Sequence, residues 1–345
     1  MLSNTALVIT SISPPNSALK NYAEQSARYG CHFIMIGDRK SPVDFALAHC
    51  DFWSLERQQR MNFALKCHLP EQHYARKNLG YLQAMADGIE IIIETDDDNF
   101  AKDSFWSPRT PLIRAEPLTG TGWVNVYSYF TENKIWPRGF PLELLKRPPV
   151  ELSGREQEMF CPIQQGLADE NPDVDAVYRL TCTLPQRFEK EARLALGANS
   201  WCPFNSQNTT WFRKAFPLLY LPSFCSFRMT DIWRSFVAQR ICWANGWYVY
   251  FHAPTVWQER NDHNLLKDFS DEIPGYLHNA SICLELEQLD ILPGEAHLAL
   301  NMRKCYEKLV HMGLIGEKEP ELLKAWHDDI EKLSADKRVS ELIRG

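Results

Sequence analysis

The sequence predicts an α/β protein, because strands and helices alternate along its first hundred residues. Residues 6–9 form a short apolar run closed by a proline-containing loop, and residues 32–36 form a second run. Between them, residues 19–29 have helical character and end before Gly30. Short connections in this order predict a mostly parallel sheet with helices on both faces.

The third strand–helix unit is the most pronounced. Residues 75–88 carry apolar side chains at helical spacing, and Gly88 lies where a helix would end. The apolar run 89–93 follows directly and predicts a buried strand. Three aspartates at positions 96–98 come immediately after it.

The middle of the chain has a looser pattern that is richer in proline and aromatic residues. We expect a strand over residues 123–130, an amphipathic helix over 231–245 and another strand over 247–251. Beyond residue 261 the composition becomes helical, with two apolar stripes at helical spacing.

These patterns predict two parts of unequal size. We expect an α/β domain that binds substrates over residues 1–275 and a C-terminal helical appendage over residues 276–345.

Composition excludes several classes of protein. The 345 residues carry 37 Lys and Arg against 44 Asp and Glu, and a net charge of −7 argues against nucleic-acid binding. No run of about 20 apolar residues occurs, so we expect no membrane-spanning helix, although peripheral association stays open. No basic segment precedes the first apolar run, and the ten cysteines are scattered singly. We therefore expect a cytoplasmic protein with reduced thiols.

The three aspartates are the sharpest chemical signal. If the strand geometry persists, Asp96 and Asp98 point to the same side and can share one divalent cation. Mn²⁺ or Mg²⁺ suits this arrangement, because a pair of carboxylates leaves coordination positions for diphosphate oxygens. The alternative is a solvated acidic turn.

The helix leading into this strand begins with two cationic side chains, Arg76 and Lys77. A helix N-terminus also presents free N–H groups and a partial positive charge. Together they offer what a nucleoside diphosphate requires. The alternative is a basic helix start that serves solubility.

These motifs resemble the nucleotide-sugar glycosyltransferases of the GT-A fold. Residues 75–99, ARKNLGYLQAMADGIEIIIETDDDN, are similar to the hallmark order of an ARN-x-G helix, a strand and a D-x-D motif. Four further segments are similar to the STELLO-type glycosyltransferase-like family: WPRGFPL at 136–142, QQGL at 164–167, PDVD at 172–175 and PFNSQNT at 203–209. The resemblance covers roughly residues 5–276, and we expect the C-terminal helices to fall outside it.

The resemblance implies a GT-A fold, a divalent metal and a nucleotide-sugar donor, with a UDP-sugar as the first expectation. It implies that Thr10, Ser11 and Asp38, at the ends of two strands, hold the nucleoside. Ordinary strand-end polarity is the alternative for these three.

The same resemblance gives roles to residues near the aspartates. Arg76, Lys77 and Asn78 would contact the diphosphate or the base, while Asp97 would reach the ribose or the sugar.

The middle of the chain supplies further candidates for binding. Arg138 lies in an aromatic loop and suits a phosphate or a sugar hydroxyl, or it packs as a surface arginine on a tryptophan. Asn205, Gln207 and Asn208 suit the hydroxyls of an acceptor, or they stabilise a structural loop.

Asp231 is the candidate general base. In inverting GT-A enzymes, a carboxylate near the start of a late helix takes the proton from the acceptor hydroxyl. The competing interpretation is a helix N-cap. A late histidine often supplies a further metal ligand in such enzymes, and either His252 or His263 could serve. Arg260 is a weaker candidate for neutralising the leaving diphosphate.

The leading hypothesis is therefore a metal-dependent, inverting glycosyltransferase that transfers a hexose or pentose to a glycan or other hydroxyl acceptor in polysaccharide biosynthesis. A nucleotide-sugar mutase, which shares the fold and a three-aspartate motif, is one alternative. A non-catalytic assembly partner is another, and a phosphatase with an aspartate nucleophile is more remote.

Overall fold

The computed structural model describes residues 1–259 and 264–344, and these form a mixed α/β fold around a large central sheet. The α/β class predicted from the alternating pattern is confirmed. The strands are β1 (Thr5–Thr10), β2 (His32–Ile36), β3 (Asp51–Trp53), β4 (Ile91–Thr95), β5 (Asn99–Ala101), β6 (Leu112–Leu118), β7 (Gly122–Trp123), β8 (Gln157–Phe160), β9 (Ile163–Asp169), β10 (Leu194–Leu196), β11 (Ser200–Trp201), β12 (Asn208–Phe212) and β13 (Val249–Gln258).

Helices follow the strands along the chain. The α-helices are α1 (Ser17–Tyr29), α2 (Leu55–Gln59), α3 (Lys77–Ala86), α4 (Ala176–Thr181), α5 (Thr230–Ala244), α6 (Leu265–Glu287), α7 (Leu298–His311) and α8 (Glu319–Arg344). Short 3-10 helices occupy Leu65–Cys67, Tyr74–Arg76, Asp103–Trp106, Val126–Tyr129, Leu142–Leu144, Arg213–Leu219, Phe227–Met229 and Glu295–His297.

The central sheet has the strand order β3-β2-β1-β4-β12-β9-β13-β10-β6-β8, with β5 paired to β13. The strands β3, β2, β1 and β4 are parallel, as the strand–helix alternation predicts. The strand β12 is antiparallel to both of its neighbours, β4 and β9. The remaining strands combine parallel and antiparallel pairs, and β7 and β11 form a separate two-stranded sheet.

Both faces of the sheet are covered, as β1 shows. Ala6 and Val8 enter one apolar cluster, while Leu7 and Ile9 enter another. Successive side chains of a strand point to opposite faces, so the two clusters lie on opposite sides of the sheet. Helix α3 packs on β1 and β2, and α1 packs on β2 and β5.

Local sequence explains the ends of α1 and α3. The Asn16 side chain accepts a hydrogen bond from the backbone N–H of Leu19 at 2.8 Å, which caps the start of α1. Gly30 ends this helix with a φ of 71°, and Gly88 follows α3 with a φ of 76°. Both values lie in the left-handed region that glycine adopts without strain.

The predicted strand over residues 123–130 is wrong. Only β7, with Trp123, is extended, and a 3-10 helix follows it. The Asn125 side chain donates to the carbonyl of Ile135 at 2.7 Å and ties the chain into a loop at this point. Such a contact between residues ten apart does not show in a local pattern.

The predicted division after residue 275 falls inside α6. The C-terminal helices contribute Met302 and Trp326 to the same apolar cluster that covers one face of the sheet. Asp329 accepts a hydrogen bond from the backbone N–H of Leu65 at 2.9 Å. The C-terminal helices are therefore packed into the core of the α/β fold rather than appended to it.

None of the helices in the described part of the chain combines the length and the apolarity needed to span a bilayer. All ten cysteines have free thiols, in agreement with the sequence.

Candidate functional site

A cavity of about 470 Å³, called the central cavity below, opens at the carboxyl ends of β1, β2 and β4. In open α/β sheets this is the edge where ligands bind. Nine of the residues predicted for the site line it: Thr10, Ser11, Asp38, Asp96, Asp97, Asp98, Arg138, Gln207 and Asp231. The sheet thus brings together residues that are more than 200 positions apart.

Asp96 contacts two polar side chains of the protein, Tyr74 and Lys77. The Tyr74 hydroxyl donates to its Oδ1 at 2.9 Å, and the Lys77 ammonium lies 3.5 Å from the same oxygen. Loss of water at the cavity wall raises the pKa of Asp96 to about 7, with Lys77 opposing this shift and Asp98 adding to it. About a third of the Asp96 side chain remains exposed.

The other two aspartates have different partners. Asp97 accepts a short hydrogen bond from the Ser11 hydroxyl, and its backbone carbonyl accepts one from the Asn16 side chain at 2.8 Å. Asp98 accepts a hydrogen bond from the Gln258 amide at 3.0 Å. Asn16, which caps α1, and Ser11, which follows β1, thus fix the conformation of residues 96–98, called the acidic turn below.

The chemistry of the acidic turn fits a hard divalent cation. The described residues contain no cluster of three or more His, Cys, Asp or Glu that could hold a metal by itself. Asp96 and Asp98 would therefore supply two carboxylates, and the ligand and water would supply the other oxygens. This division is typical of Mg²⁺ and Mn²⁺ bound with a diphosphate.

His252 is not among the residues that line the central cavity, and its metal role stays a prediction. Its Nδ1 lies 2.8 Å from the carbonyl of Ala253, which requires a proton on Nδ1. Burial lowers the pKa of His252 to about 4. The ring packs against Gly166 and Asn208 within the sheet. The other two candidates, His263 and Arg260, lie outside the described residues.

Arg76 and Asn78 were also predicted to contact the ligand, and the structure places both inside the protein. Arg76 is buried, and its Nε donates to the Gln58 side chain at 2.8 Å. Asn78 exchanges two hydrogen bonds of 2.9 Å with the backbone of Leu221. Their polar groups hold segments of the fold together and do not face the central cavity.

Lys77 is completely buried behind the acidic turn. Its ammonium donates to the Tyr74 hydroxyl at 2.7 Å and to the carbonyl of Thr95 at 2.8 Å. Lys77 does not line the central cavity, whereas its partners Asp96 and Tyr74 do. The direct diphosphate contact expected for Lys77 is therefore wrong, because the helix turns its first residues inward.

Asp231 is bound in a buried ionic group. Arg138 contacts both of its carboxylate oxygens at 3.0 Å, and the backbone and hydroxyl of Ser206 donate to it at 3.1 Å. Burial alone would raise the pKa of Asp231, but Arg138 holds it below its usual range.

The N-cap interpretation of Asp231 is wrong. Helix α5 begins at Thr230, and no side chain caps it. The carboxylate of Asp231 points to Arg138 instead, so it lines the central cavity as one partner of an ion pair.

Two of the three predicted acceptor residues form hydrogen bonds with other parts of the chain. Asn205 accepts from the backbone N–H of Gln207 at 3.0 Å, and Asn208 donates to Leu167 and Thr255 at 2.8 and 2.9 Å. Both are buried. The acceptor role is wrong for these two residues, and Gln207 alone of the three lines the central cavity.

Sequence reasoning missed several residues of the cavity wall. They include cations, aromatic rings and polar groups: Lys40, His73, Tyr74, Asp173, Arg179, Ser206, Phe227, Arg228 and Gln258. Asp173 lies in the PDVD segment, so its motif was noticed without a role. Ser206 lies in the PFNSQNT segment and likewise had no role, whereas the others lie outside the quoted segments and come from separate parts of the chain.

The mixed α/β fold, with an acidic turn at the carboxyl edge of its parallel strands, is consistent with a GT-A-like protein. A family model of STELLO glycosyltransferases matches residues 228–344. The relative named "Probable glycosyltransferase STELLO2" from Arabidopsis thaliana is 31% identical over 290 residues, which is 77% of this chain and 37% of the relative. "Probable glycosyltransferase STELLO1" from the same plant is 30% identical over 274 residues, or 72% and 35%.

The chain therefore belongs to the STELLO-type glycosyltransferase-like family, and the predicted resemblance is confirmed. It spans little more than a third of the length of these relatives. The family match includes the C-terminal helices, so the expectation that they fall outside the resemblance is wrong. A solved structure, "Crystal Structure of a Mycobacterial Protein", is 10% identical over 80% of this chain and 74% of that one, with a TM-score of 0.40, too distant a likeness to carry an argument.

Proposed function

We propose that the chain is a metal-dependent glycosyltransferase that moves a sugar from a nucleoside-diphosphate donor to a hydroxyl group of a glycan or other acceptor. A uridine diphosphate sugar is the first candidate donor. One observation carries the proposal: three aspartates at a strand end face a cavity whose lining also includes Lys40, together with Arg138 and Arg228, which are paired with Asp231 and Glu272. Carboxylates that bind a metal, opposed by guanidinium groups, suit a bound diphosphate.

The position of each residue indicates which part of the donor it would bind. Ser11 and Asp38 lie at the ends of neighbouring parallel strands and would hold the nucleoside. Asp96 and Asp98 would hold Mn²⁺ or Mg²⁺, which supplies positive charge to the departing diphosphate. Lys40 would add a cation at the same opening. Electrostatic stabilisation of the leaving group would be the main contribution of this site.

Asp231 remains our candidate for the general base of an inverting transfer. In the structure its carboxylate is occupied by Arg138 and Ser206. Arg138 is also bound to Asp173, so it can keep one carboxylate partner while an oxygen of Asp231 turns to an acceptor hydroxyl. Proton removal by Asp231 therefore requires a rearrangement of this ionic group.

The free state of the ten thiols supports a further proposal, that the protein acts in a reducing compartment such as the cytoplasm.

Calorimetric titration with UDP, with and without Mn²⁺, tests the donor site. We expect Mn²⁺-dependent binding that is lost in Asp96→Asn and Asp98→Asn. Asp103→Asn is the matched control, because this exposed carboxylate follows β5 and does not line the central cavity. Equal UDP binding with and without Mn²⁺, or no binding at all, would contradict the proposal.

The carboxylate of Asp231 is bound to Arg138 and Ser206, so it is not free to act as a base. This favours a second candidate, a protein that binds a nucleotide sugar without transferring it. Incubation with UDP-sugars and no acceptor separates the candidates. Slow donor hydrolysis supports a transferase, and ring interconversion of a UDP-pentose supports a mutase. Binding with neither reaction supports a non-catalytic partner.

A further inference from the structure

We propose that a second cleft, beside the central cavity, is the acceptor site and takes a saccharide. This inference rests on the proposed function, since it assigns the substrate class of the same site. The cleft, called the side cleft below, is lined among others by Gln72, His73, Ser223, Phe227, Lys267 and Asp271.

The side cleft is continuous with the central cavity. Gln72, His73 and Phe227 line both, so they form the wall between them. A molecule in the side cleft would therefore approach the end of a donor held by the acidic turn. Asn205 and Asn208, in contrast, are buried.

Phe227 supplies the apolar surface of the side cleft. Its side chain is 54% exposed, although phenylalanine is usually buried. The ring lies edge-to-face with His73 and Tyr74, at centroid distances of 6.2 and 6.3 Å, and these contacts fix its orientation. A fixed, exposed ring between polar walls is suited to the C–H face of a pyranose.

Ser223 supplies an independent sign of a ligand. Its residue is only 4% exposed, and its Oγ has no hydrogen-bond partner among the described residues. Its backbone N–H, in contrast, donates to Glu319 at 3.0 Å, so the main chain is fixed at this point. A buried hydroxyl without a partner is unfavourable, and a sugar hydroxyl in the side cleft would satisfy it.

Helix α6 adds charged groups to the lining of the side cleft. Lys267 and Asp271 lie one turn apart and both line the side cleft. An ammonium donates hydrogen bonds and a carboxylate accepts them, so the two can bind adjacent hydroxyl groups of a sugar. An aromatic ring, an orphan hydroxyl and a mixed charged pair favour a saccharide over a lipid or a polyanion.

Saturation-transfer NMR tests this assignment without knowledge of the natural acceptor. The probes are the methyl glycosides of glucose, galactose, mannose, xylose and N-acetylglucosamine at millimolar concentration, together with UDP and diamagnetic Mg²⁺. We expect transfer to the ring protons of at least one glycoside. UDP signals in the same tube report on the central cavity.

Two variants and a control test whether the side cleft binds the glycoside, and Ser223 lines the side cleft alone. Phe227→Ala should weaken glycoside binding about threefold to tenfold through loss of the aromatic contact. Ser223→Ala should weaken it about twofold to tenfold and leave the melting temperature unchanged or raised, since it removes an unpaired polar group. Phe269→Ala, which removes another partly exposed ring on α6, should have no effect.

Each outcome is decisive. UDP binding without any glycoside signal, or a signal unchanged in Phe227→Ala, overturns the acceptor assignment and leaves the donor site in place. The absence of both UDP and glycoside signals overturns the proposed function as well. A glycoside signal without UDP binding supports the side cleft and contradicts the donor site.

Discussion

Arg138 forms paired hydrogen bonds with Asp231 at the wall of the central cavity, with each guanidinium nitrogen 3.0 Å from a carboxylate oxygen. The same guanidinium binds Asp173 through two contacts of 2.8 Å. One cation thus holds two acidic residues, Asp173 from the loop before α4 and Asp231 from the first turn of α5. Asp231 is therefore ionised, and both of its carboxylate oxygens are bound to Arg138.

The first prediction concerns the stability contributed by this pair. Asp231→Asn should lower the free energy of unfolding at pH 7 by about 2–4 kcal/mol, because it removes one carboxylate from a buried cation. The loss stays below that of a fully broken pair, since Asp173 remains. Urea denaturation of the wild-type and variant proteins measures the difference.

The pH dependence of this difference has a definite sign. Arg138 holds the pKa of Asp231 below its usual range, so the pair stabilises the protein above the unfolded pKa of about 4. The stabilisation is lost as pH falls from there through the folded pKa. The gap between wild type and Asp231→Asn should shrink as the pH falls from about 4 to about 2, whereas Asp103→Asn should show no such gap.

The second prediction concerns Glu94, a completely buried carboxylate two positions before the acidic turn. Arg234 binds both of its oxygens at 2.7 and 3.0 Å, and the Trp211 indole donates to it at 2.8 Å. Glu94→Gln should lower the free energy of unfolding by about 3–5 kcal/mol, because it leaves a buried guanidinium without its counter-charge. Thermal and urea denaturation both measure this loss.

Two comparisons test whether the unpaired buried charge causes the loss of stability in Glu94→Gln. Adding Arg234→Met to Glu94→Gln should recover part of the lost stability, since no unpaired charge remains. Glu90→Gln, which weakens the half-exposed pair with Arg213, should change the free energy by about 0–1 kcal/mol. A similar loss in both glutamine variants would show that burial of the Glu94 pair is unimportant.

The sequence predicts the parts of the site that depend on local pattern. Apolar runs locate β1, β2 and β4, and polar residues that follow them reach the carboxyl edge of the sheet, as Thr10, Asp38 and Asp96 do. Strand alternation and chain direction suffice for this result. Neither requires knowledge of which distant residue becomes a neighbour.

The parts that the sequence does not predict depend on distant partners. Asp231 pairs with Arg138, 93 positions away, and Asn78 binds Leu221, 143 positions away. Lys77 is cationic and opens a helix, which predicts a ligand contact, yet packing turns it inward. Whether a polar side chain meets a substrate or another part of the fold is decided by tertiary packing.

The third prediction concerns the pH dependence of metal binding. Desolvation raises the pKa of Asp96 to about 7, so below this pH a proton competes with the cation for the carboxylate. Mn²⁺ affinity without nucleotide should fall about tenfold for each pH unit below 7 and level off above it. Electron paramagnetic resonance of free Mn²⁺ between pH 5.5 and pH 8.5 measures the affinity.

Lys77→Met provides a directional check on this result. Lys77 lowers the pKa of Asp96, so its removal should move the midpoint of the pH profile to a higher value. An affinity that does not vary with pH, or a midpoint that moves downward in Lys77→Met, would contradict the coupling between these two residues.

The last prediction concerns Gly80, the glycine of the segment ARKNLG at 75–80, where α3 packs against the sheet. A Cβ on Gly80 would lie 2.6 Å from Val8 Cγ1 and 3.0 Å from Ile36 Cγ1, so α3 contacts the sheet too closely for a side chain. Gly80→Ala should lower the free energy of unfolding by about 1–3 kcal/mol, although alanine favours the helix. In a Val8→Ala background the same substitution should cost less, because the nearest methyl group is gone. Urea denaturation of the wild type, the two single variants and the double variant gives the coupling energy between the two positions. A value near zero would mean that the contact with Val8 is not the reason for a glycine at position 80.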